Sequence, residues 1–211
     1  MSRKIVSVIC ALAIVSALGA AAFASGEASG SNASQTRGDV TEITVPETAA
    51  DWIMDAFSTK AFTDEPVDDA LVEDIVQAGI NAPSAQNKQP CRFIIVKDET
   101  LKSALAKTPV VVIVAVPTES YTGGGDSQFA AGLSAEAMYL YAQASGLGAH
   151  MYTAPVEMTI NKDAESQAAY GIPEGYEAAV VIGFGYYADY VDAASAATVR
   201  NEYDSFVTVL G

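Results

Sequence analysis

NAPSAQNKQPCRFIIV, residues 81–96, is the stretch on which the fold turns. It begins where an apolar run at helical spacing stops, spends Asn81 to Pro90 on small, amide and hydroxyl side chains, and then enters the aromatic and β-branched run Phe93 to Val96. The pattern predicts a helix, a loop and a buried strand. The loop offers hydroxyl, carboxamide and backbone donors in close succession, a surface suited to holding something polar and flat.

Upstream, Leu71, Val72, Ile75, Val76 and Gly79 fall at helical spacing behind Asp68 and Asp69, whose charges suit the positive end of a helix dipole. Six acids lie between Asp64 and Asp74. They lack the register of a calcium loop and read as a solvated helix face. Downstream, Pro109 to Val116 is a second β-branched run, joined to the first by a short helix around Thr100 to Ala106. From Asp126, a fair N-cap, to Ser145 the chain is nearly all Ala, Leu, Tyr, Phe and Met, with Glu136 the sole interior charge and Gly146 a fair stop. A helix apolar on nearly every face needs its own sheet on one side and, on the other, a second subunit. Ala149 to Thr153 and Ala178 to Tyr186 read as further strands, separated by a helix near Asp163 to Tyr170. Phe206 to Leu210 alternates like a strand that pairs within the chain or reaches into a partner's sheet.

The chain has 211 residues, enough for one domain with a real core. Ser2-Arg3-Lys4 precedes an unbroken apolar run, Ile5 to Ala24, that ends in the small-x-small pattern Ala22-Phe23-Ala24. Residues 1–24 therefore read as a cleavable export signal. The alternative is an uncleaved anchor, since about 20 apolar residues span a bilayer. Residues 25–47, rich in Ser, Gly, Ala and Thr, read as a flexible spacer, and ordered structure is expected over 48–211. Without Arg3 and Lys4, nine of the 11 basic residues remain against 26 acidic ones, a net charge of −17. Nucleic acid is a poor partner for such a chain. Cys91 is then the sole cysteine, so no internal disulfide forms.

There is no Cys/His metal cluster, Gly-x-Ser-x-Gly elbow, Walker loop or Gly-x-Gly-x-x-Gly after a strand. With His150 the one histidine, a multi-histidine site is excluded. No residue stands out as a catalytic acid, base or nucleophile, and no metal ligand set is identified.

Asn81-Ala82-Pro83-Ser84-Ala85-Gln86-Asn87-Lys88-Gln89-Pro90 followed by a strand resembles the APSxxNxQPW loop of the nitroreductase family, flavoproteins that hold FMN at a dimer interface. Ser58-Thr59-Lys60-Ala61-Phe62 is similar to that family's N-terminal phosphate-binding segment. The long apolar helix ending in Gly146-Leu147-Gly148, and Gly171-Ile172-Pro173-Glu174-Gly175, match further family segments in the same order. The resemblance covers residues 53–211.

It implies an α+β fold, a mostly antiparallel central sheet flanked by helices around one long apolar helix, in an intertwined homodimer. It implies FMN as cofactor and reduction of a small electron-poor acceptor, a nitroaromatic or quinone, by ping-pong hydride transfer. The residues implied at the cofactor are Ser58, Thr59 and Lys60, then Pro83, Ser84, Ala85, Asn87 and Gln89 of the loop, a backbone donor near Tyr152 or Thr153, and Arg200 at the phosphate. The sequence departs from the family at Ala56 and Phe57, where basic residues are common, in the short Lys97 to Pro109 link, and at Cys91, where Trp is common. An exported member has no nicotinamide pool outside the cytoplasm, so its donor is either NAD(P)H or a membrane or exported electron carrier. The competing reading is an exported binding or scaffold protein that keeps the fold without turnover.

Overall fold

The computed structural model describes residues 48–119, 127–188 and 202–210, which fall into two units, 48–55 and 56–210. The export signal, the spacer, Asp126 and Arg200 lie outside the described residues. In the first unit, helix α1 (Ala49–Asp55) starts on a reciprocal cap: the Thr48 N–H and hydroxyl donate to Asp51 Oδ2 at 3.1 and 2.7 Å, and the Asp51 N–H donates back to Thr48 Oγ1 at 3.2 Å.

In the second unit, Asp68 caps α2 (Asp69–Ile80) by accepting the Ala70 N–H at 2.8 Å. Strand β1 (Arg92–Ile95) leads to α3 (Glu99–Leu105), whose cap Asp98 accepts from the Thr100 and Leu101 N–H groups at 2.9 Å each. Strand β2 (Val110–Pro117), the long helix α4 (Ser127–Ala144), β3 (Gly148–Tyr152), a π-helical turn at Val156–Ile160, α5 (Ala164–Ala169) and β4 (Tyr176–Gly185) complete the core. The sheet runs β1-β2-β4-β3 with every ladder antiparallel. One isolated parallel bridge, Ser58 to Ala149, adds the 57–60 segment beyond β3.

Strand β2 is buried on both faces, and its alternation feeds two cores. Val112, Val114 and Val116 pack with Ile182 and Phe184 under α2 and α4, while Val111, Ile113 and Ala115 pack with Val181, Ile160 and Tyr170 on the other face. Gly79 lets α2 approach α4 closely, since a Cβ there would stand 2.8 Å from Met138 Cγ. Helix α4 ends in a paired terminal motif: Gly146, at φ +83°, donates to Gln143 O at 3.0 Å, and Leu147 donates to Ala142 O at 2.9 Å. That is the stop expected at Gly146. The run Phe206 to Leu210 forms no strand with the described residues; a short 3-10 turn, Tyr203–Ser205, precedes it, and its side chains are exposed.

A bulge between Val114 and Ala115 of β2 shifts the β4 register by one residue. There Asn161 supplies pairing from the side, its Oδ1 accepting the Ala178 N–H at 3.0 Å and its Nδ2 donating to the Ala178 carbonyl at 2.9 Å. Asn161→Ala strands both groups and is expected to cost about 2 kcal/mol, read as a lower denaturant midpoint. An unchanged midpoint would mean that water replaces the amide without penalty.

Candidate functional site

Two stretches carry the candidate site, and in this acidic chain neither contains an acid. From Ala56 to Thr63 the only charge is Lys60, and from Asn81 to Arg92 the only charges are Lys88 and Arg92. An anion therefore meets no carboxylate within either stretch, although Asp55 and Asp64 flank the first.

The first stretch is laid along the outer edge of β3. The Thr59 N–H donates to Ala149 O at 2.9 Å, and the Phe57 N–H to Gln143 Oε1 of α4 at 3.1 Å. Ser58 is half-buried and Lys60 exposed. Thr59 is fully buried against Gly148, and its hydroxyl has no hydrogen-bond partner. Phe57 packs edge-on against Tyr187 with ring centroids 5.4 Å apart. The position where the family commonly has a base is therefore part of the packing here. Tyr152 closes β3, half-buried, its ring 4.4 Å from that of His150, and burial pushes its phenol up. Thr153 is exposed, and its carbonyl accepts the Val156 N–H at 3.1 Å, opening the π-helical turn.

The second stretch is a rigid loop. Ser84 Oγ accepts the Gln89 N–H at 2.9 Å, and the Ser84 and Ala85 carbonyls accept from Asn87 and Lys88 at 2.9 and 3.1 Å. Gln86, Asn87 and Gln89 have φ of 53°, 55° and 49°. Left-handed backbone costs about 1–2 kcal/mol for an ordinary L-residue, least for Asn, and persists where its surroundings hold it. Ser84 thus braces the loop, while Pro83, Ala85 and the Asn87 and Gln89 side chains are exposed. Behind the loop lies a cleft of about 360 Å³ between α2, α4 and β1, lined by Ile80, Pro83, Ser84, Cys91, Arg92 and Ser134 among others.

Ser134 donates to Cys91 Sγ at 3.7 Å. Burial pushes the Cys91 thiol up, only partly offset by that bond and by the Arg92 charge. The nucleophile is the thiolate, so alkylation by iodoacetamide at pH 7 is expected to run roughly tenfold slower than for free cysteine and to rise as pH climbs past the ordinary thiol range. A rate equal to free cysteine would contradict a buried, packing role.

The two stretches do not meet within one chain. The first is tied to Gln143, near the C-terminal end of α4, and the cleft to Ala130 and Ser134, near its N-terminal end. At the helical rise these are about 14–20 Å apart. Edge to edge, β1 and β3 are three strand spacings apart, about 14 Å. Tyr152 and Thr153 lie with the first stretch at the β3 edge. A larger groove of about 720 Å³ takes in Phe62 and Thr63 from the end of the first stretch but none of Ser58, Thr59, Lys60, Tyr152, Thr153 or the 81–90 loop. It mixes Lys97, Lys102 and Lys107 with Asp64, Asp69 and Glu99, and two of its lysines are paired, Lys97 with Asp69 and Lys102 with Glu99. Among the described residues no group of His, Cys, Asp and Glu is placed to hold a metal ion, and no helix is long and apolar enough to cross a membrane.

Residues 53–110, which include both stretches, match the model of the nitroreductase family. A curated NADH dehydrogenase from Thermus thermophilus is 40% identical over 48 residues, a match that spans 23% of this chain and 23% of that protein. A protein from Desulfovibrio desulfuricans, described as a nitroreductase and solved in complex with FMN, is 26% identical with a TM-score of 0.63, covering 79% of this chain and 99% of its own. A nitroreductase with bound FMN from Bacteroides fragilis shares the fold at 18% identity and a TM-score of 0.62, covering 77% of this chain and 98% of its own. The nitroreductase family's signature thus lies over both halves of the candidate site, and the fold of the second unit is similar to that of solved nitroreductases.

Proposed function

We propose that this protein is an FMN-dependent oxidoreductase that works as a homodimer and reduces a small electron-poor acceptor of nitroaromatic or quinone type. The observation that carries the reading is the acid-free segment Ser58–Lys60, held on β3 in a strongly acidic chain whose fold is shared with FMN-bound proteins. The donor set fits the cofactor. The half-buried Ser58 hydroxyl and the exposed Lys60 ammonium suit a phosphate and ribityl chain, and the rigid loop presents Asn87 and Gln89 amides suited to a flat polar edge.

Lys60 and Arg200 would hold the phosphate, Ser58 and Thr59 the chain beside it, and the backbone near Tyr152 or Thr153 would donate to the ring. FMN, when bound, accepts a hydride from a donor and passes it to an acceptor in alternate half-reactions. Pro83, Ser84, Ala85, Asn87 and Gln89 lie at the opposite sheet edge and the opposite end of α4 from Ser58–Lys60, an arrangement that favours a site completed by the partner subunit. The outward side of α4 supports association, with Phe129 66% and Tyr141 39% exposed.

The N-terminal signal favours export, and with it electrons supplied by a membrane or exported carrier rather than by NAD(P)H. Purified residues 25–211 are expected to be yellow, or to turn yellow with added FMN at one per chain, and to bleach under a reductant until an acceptor restores the colour. Rapid bleaching by NADH or NADPH would count against a need for another carrier. A colourless protein that ignores added FMN would favour the fold retained without turnover, a reading that the uncharged Ala56 and Phe57 support.

A further inference from the structure

We propose that His150 is a positioning residue that locks the Ser58–Lys60 segment onto β3, with one water bridging its imidazole Nδ1 to the Thr59 hydroxyl. The bridge stands on geometry alone, while its consequence for the cofactor rests on the flavin reading above. Ser58 pairs with Ala149 in a parallel bridge, and the Thr59 N–H donates to the Ala149 carbonyl at 2.9 Å, which sets Thr59 alongside Gly148, Ala149 and His150. The Thr59 side chain lies on the face to which Gly148 would point a Cβ, since that atom would stand 2.5 Å from Thr59 Oγ1. Positions 148 and 150 face the same way on a strand, so the imidazole shares that face.

On that face two buried polar atoms, Thr59 Oγ1 and His150 Nδ1, have no hydrogen-bond partner among the described residues. Orphaned buried groups are rare because each loses its hydration without return, and a single water with bonds to both satisfies the pair at once. The spacing suits it. Positions 148 and 150 are about 7 Å apart along the strand before either side chain is counted, and two hydrogen bonds through one water span up to about 6 Å. No competing donor stands on the other side: Gly183, opposite His150 in β4, has no side chain, and Thr108 above it already donates its hydroxyl to the Val110 carbonyl at 2.6 Å. The Tyr152 ring, 4.4 Å from the imidazole and tilted 39° to it, holds the plane of the imidazole. Bridged in this way, the ring carries its proton on Nε2 and accepts through Nδ1. Thr59 lies between Ser58 and Lys60, so whatever fixes its side chain also fixes the hydroxyl and the ammonium to either side.

Because His150 is the one histidine, its ring nitrogens give an unambiguous NMR signal in isotope-labelled protein of the full sequence. In wild type Nδ1 is expected as a hydrogen-bonded acceptor with the proton on Nε2, and Thr59→Val should return the ring toward the free tautomer mixture. Amide hydrogen exchange over residues 57–60 should run roughly tenfold faster in Thr59→Val and in His150→Phe, and no faster in the double variant than in either single one. His150→Asn, whose Oδ1 takes the place of Nδ1, should bring exchange back to within about twofold of wild type. FMN affinity, measured on the same proteins, should fall and recover in the same order. An Nδ1 signal indifferent to Thr59→Val, or exchange rates that multiply in the double variant, overturns the proposal. Protein that binds no FMN in any form counts against the flavin reading alone, since the nitrogen signal and the exchange rates still decide the role of His150.

Discussion

Gly148→Val is expected to cost about 3 kcal/mol of stability and to loosen the 57–60 segment from the sheet. A Cβ at Gly148 would meet Thr59 Oγ1 at 2.5 Å, Cγ2 at 2.6 Å and Cβ at 2.9 Å. Thr59 is fully buried, held by its N–H to Ala149, so it cannot swing aside. Either the bridge between Ser58 and Ala149 opens, or β3 shifts against β4. Since Ser58 and Lys60 flank Thr59, FMN affinity should fall along with the denaturation midpoint. Adding Thr59→Ala removes two of the three contacting atoms and is expected to recover part of the loss, with a non-additive pair as the signature of direct contact. Wild-type stability for Gly148→Val alone would show that the segment does not pack on β3 as described.

Lys60→Ala combined with Arg200→Ala is expected to weaken FMN binding about a hundredfold, roughly 3 kcal/mol from two charge-assisted contacts. The basis is scarcity. A dianionic phosphate on a chain with so few cations depends on the ones nearby, and Lys60 is the only charge between Ala56 and Thr63. Lys60 is exposed, so Lys60→Ala alone should leave stability within a few tenths of a kcal/mol of wild type. Unchanged affinity by fluorescence titration would place the phosphate elsewhere.

Much of this architecture is legible in the residues, and the reasons are specific. The β-branched run Val110 to Val116 reads as a buried strand because it lies inside a sheet covered on both faces, whereas Phe93 to Val96, expected to be buried likewise, supplies the edge strand β1, whose residues are exposed or half-buried. The end of α4 is legible because Gly146 occupies a left-handed position that glycine takes at low cost. The loop's left-handed residues are not legible, since Gln86, Asn87 and Gln89 are not glycine and are held there by the Ser84 brace and the surrounding turns. Nor is the π-helical turn, which follows Pro155 with no periodicity to announce it. Helix α1 leaves its capping signal in Thr48 and Asp51, three residues apart, but is too short to show an apolar period.

Of the site, the loop and the Ser58–Lys60 segment are legible as motifs, while their separation across the sheet is not. It follows from the strand order β1-β2-β4-β3, which a crossover sets and no local pattern encodes.

The central claim is that one cofactor is shared between the Ser58–Lys60 edge of one copy and the 81–90 loop of another. Subunit mixing tests it most directly. Lys60→Glu in one chain and Ser84→Glu in the other each place an acid in an acid-free stretch and should separately abolish tight FMN binding. After the two proteins are unfolded and refolded together, half the dimers would be mixed and each would keep one undamaged site, so roughly a quarter of the wild-type FMN capacity should return. No recovery in demonstrably mixed dimers, or full binding by either parent alone, would contradict the shared site.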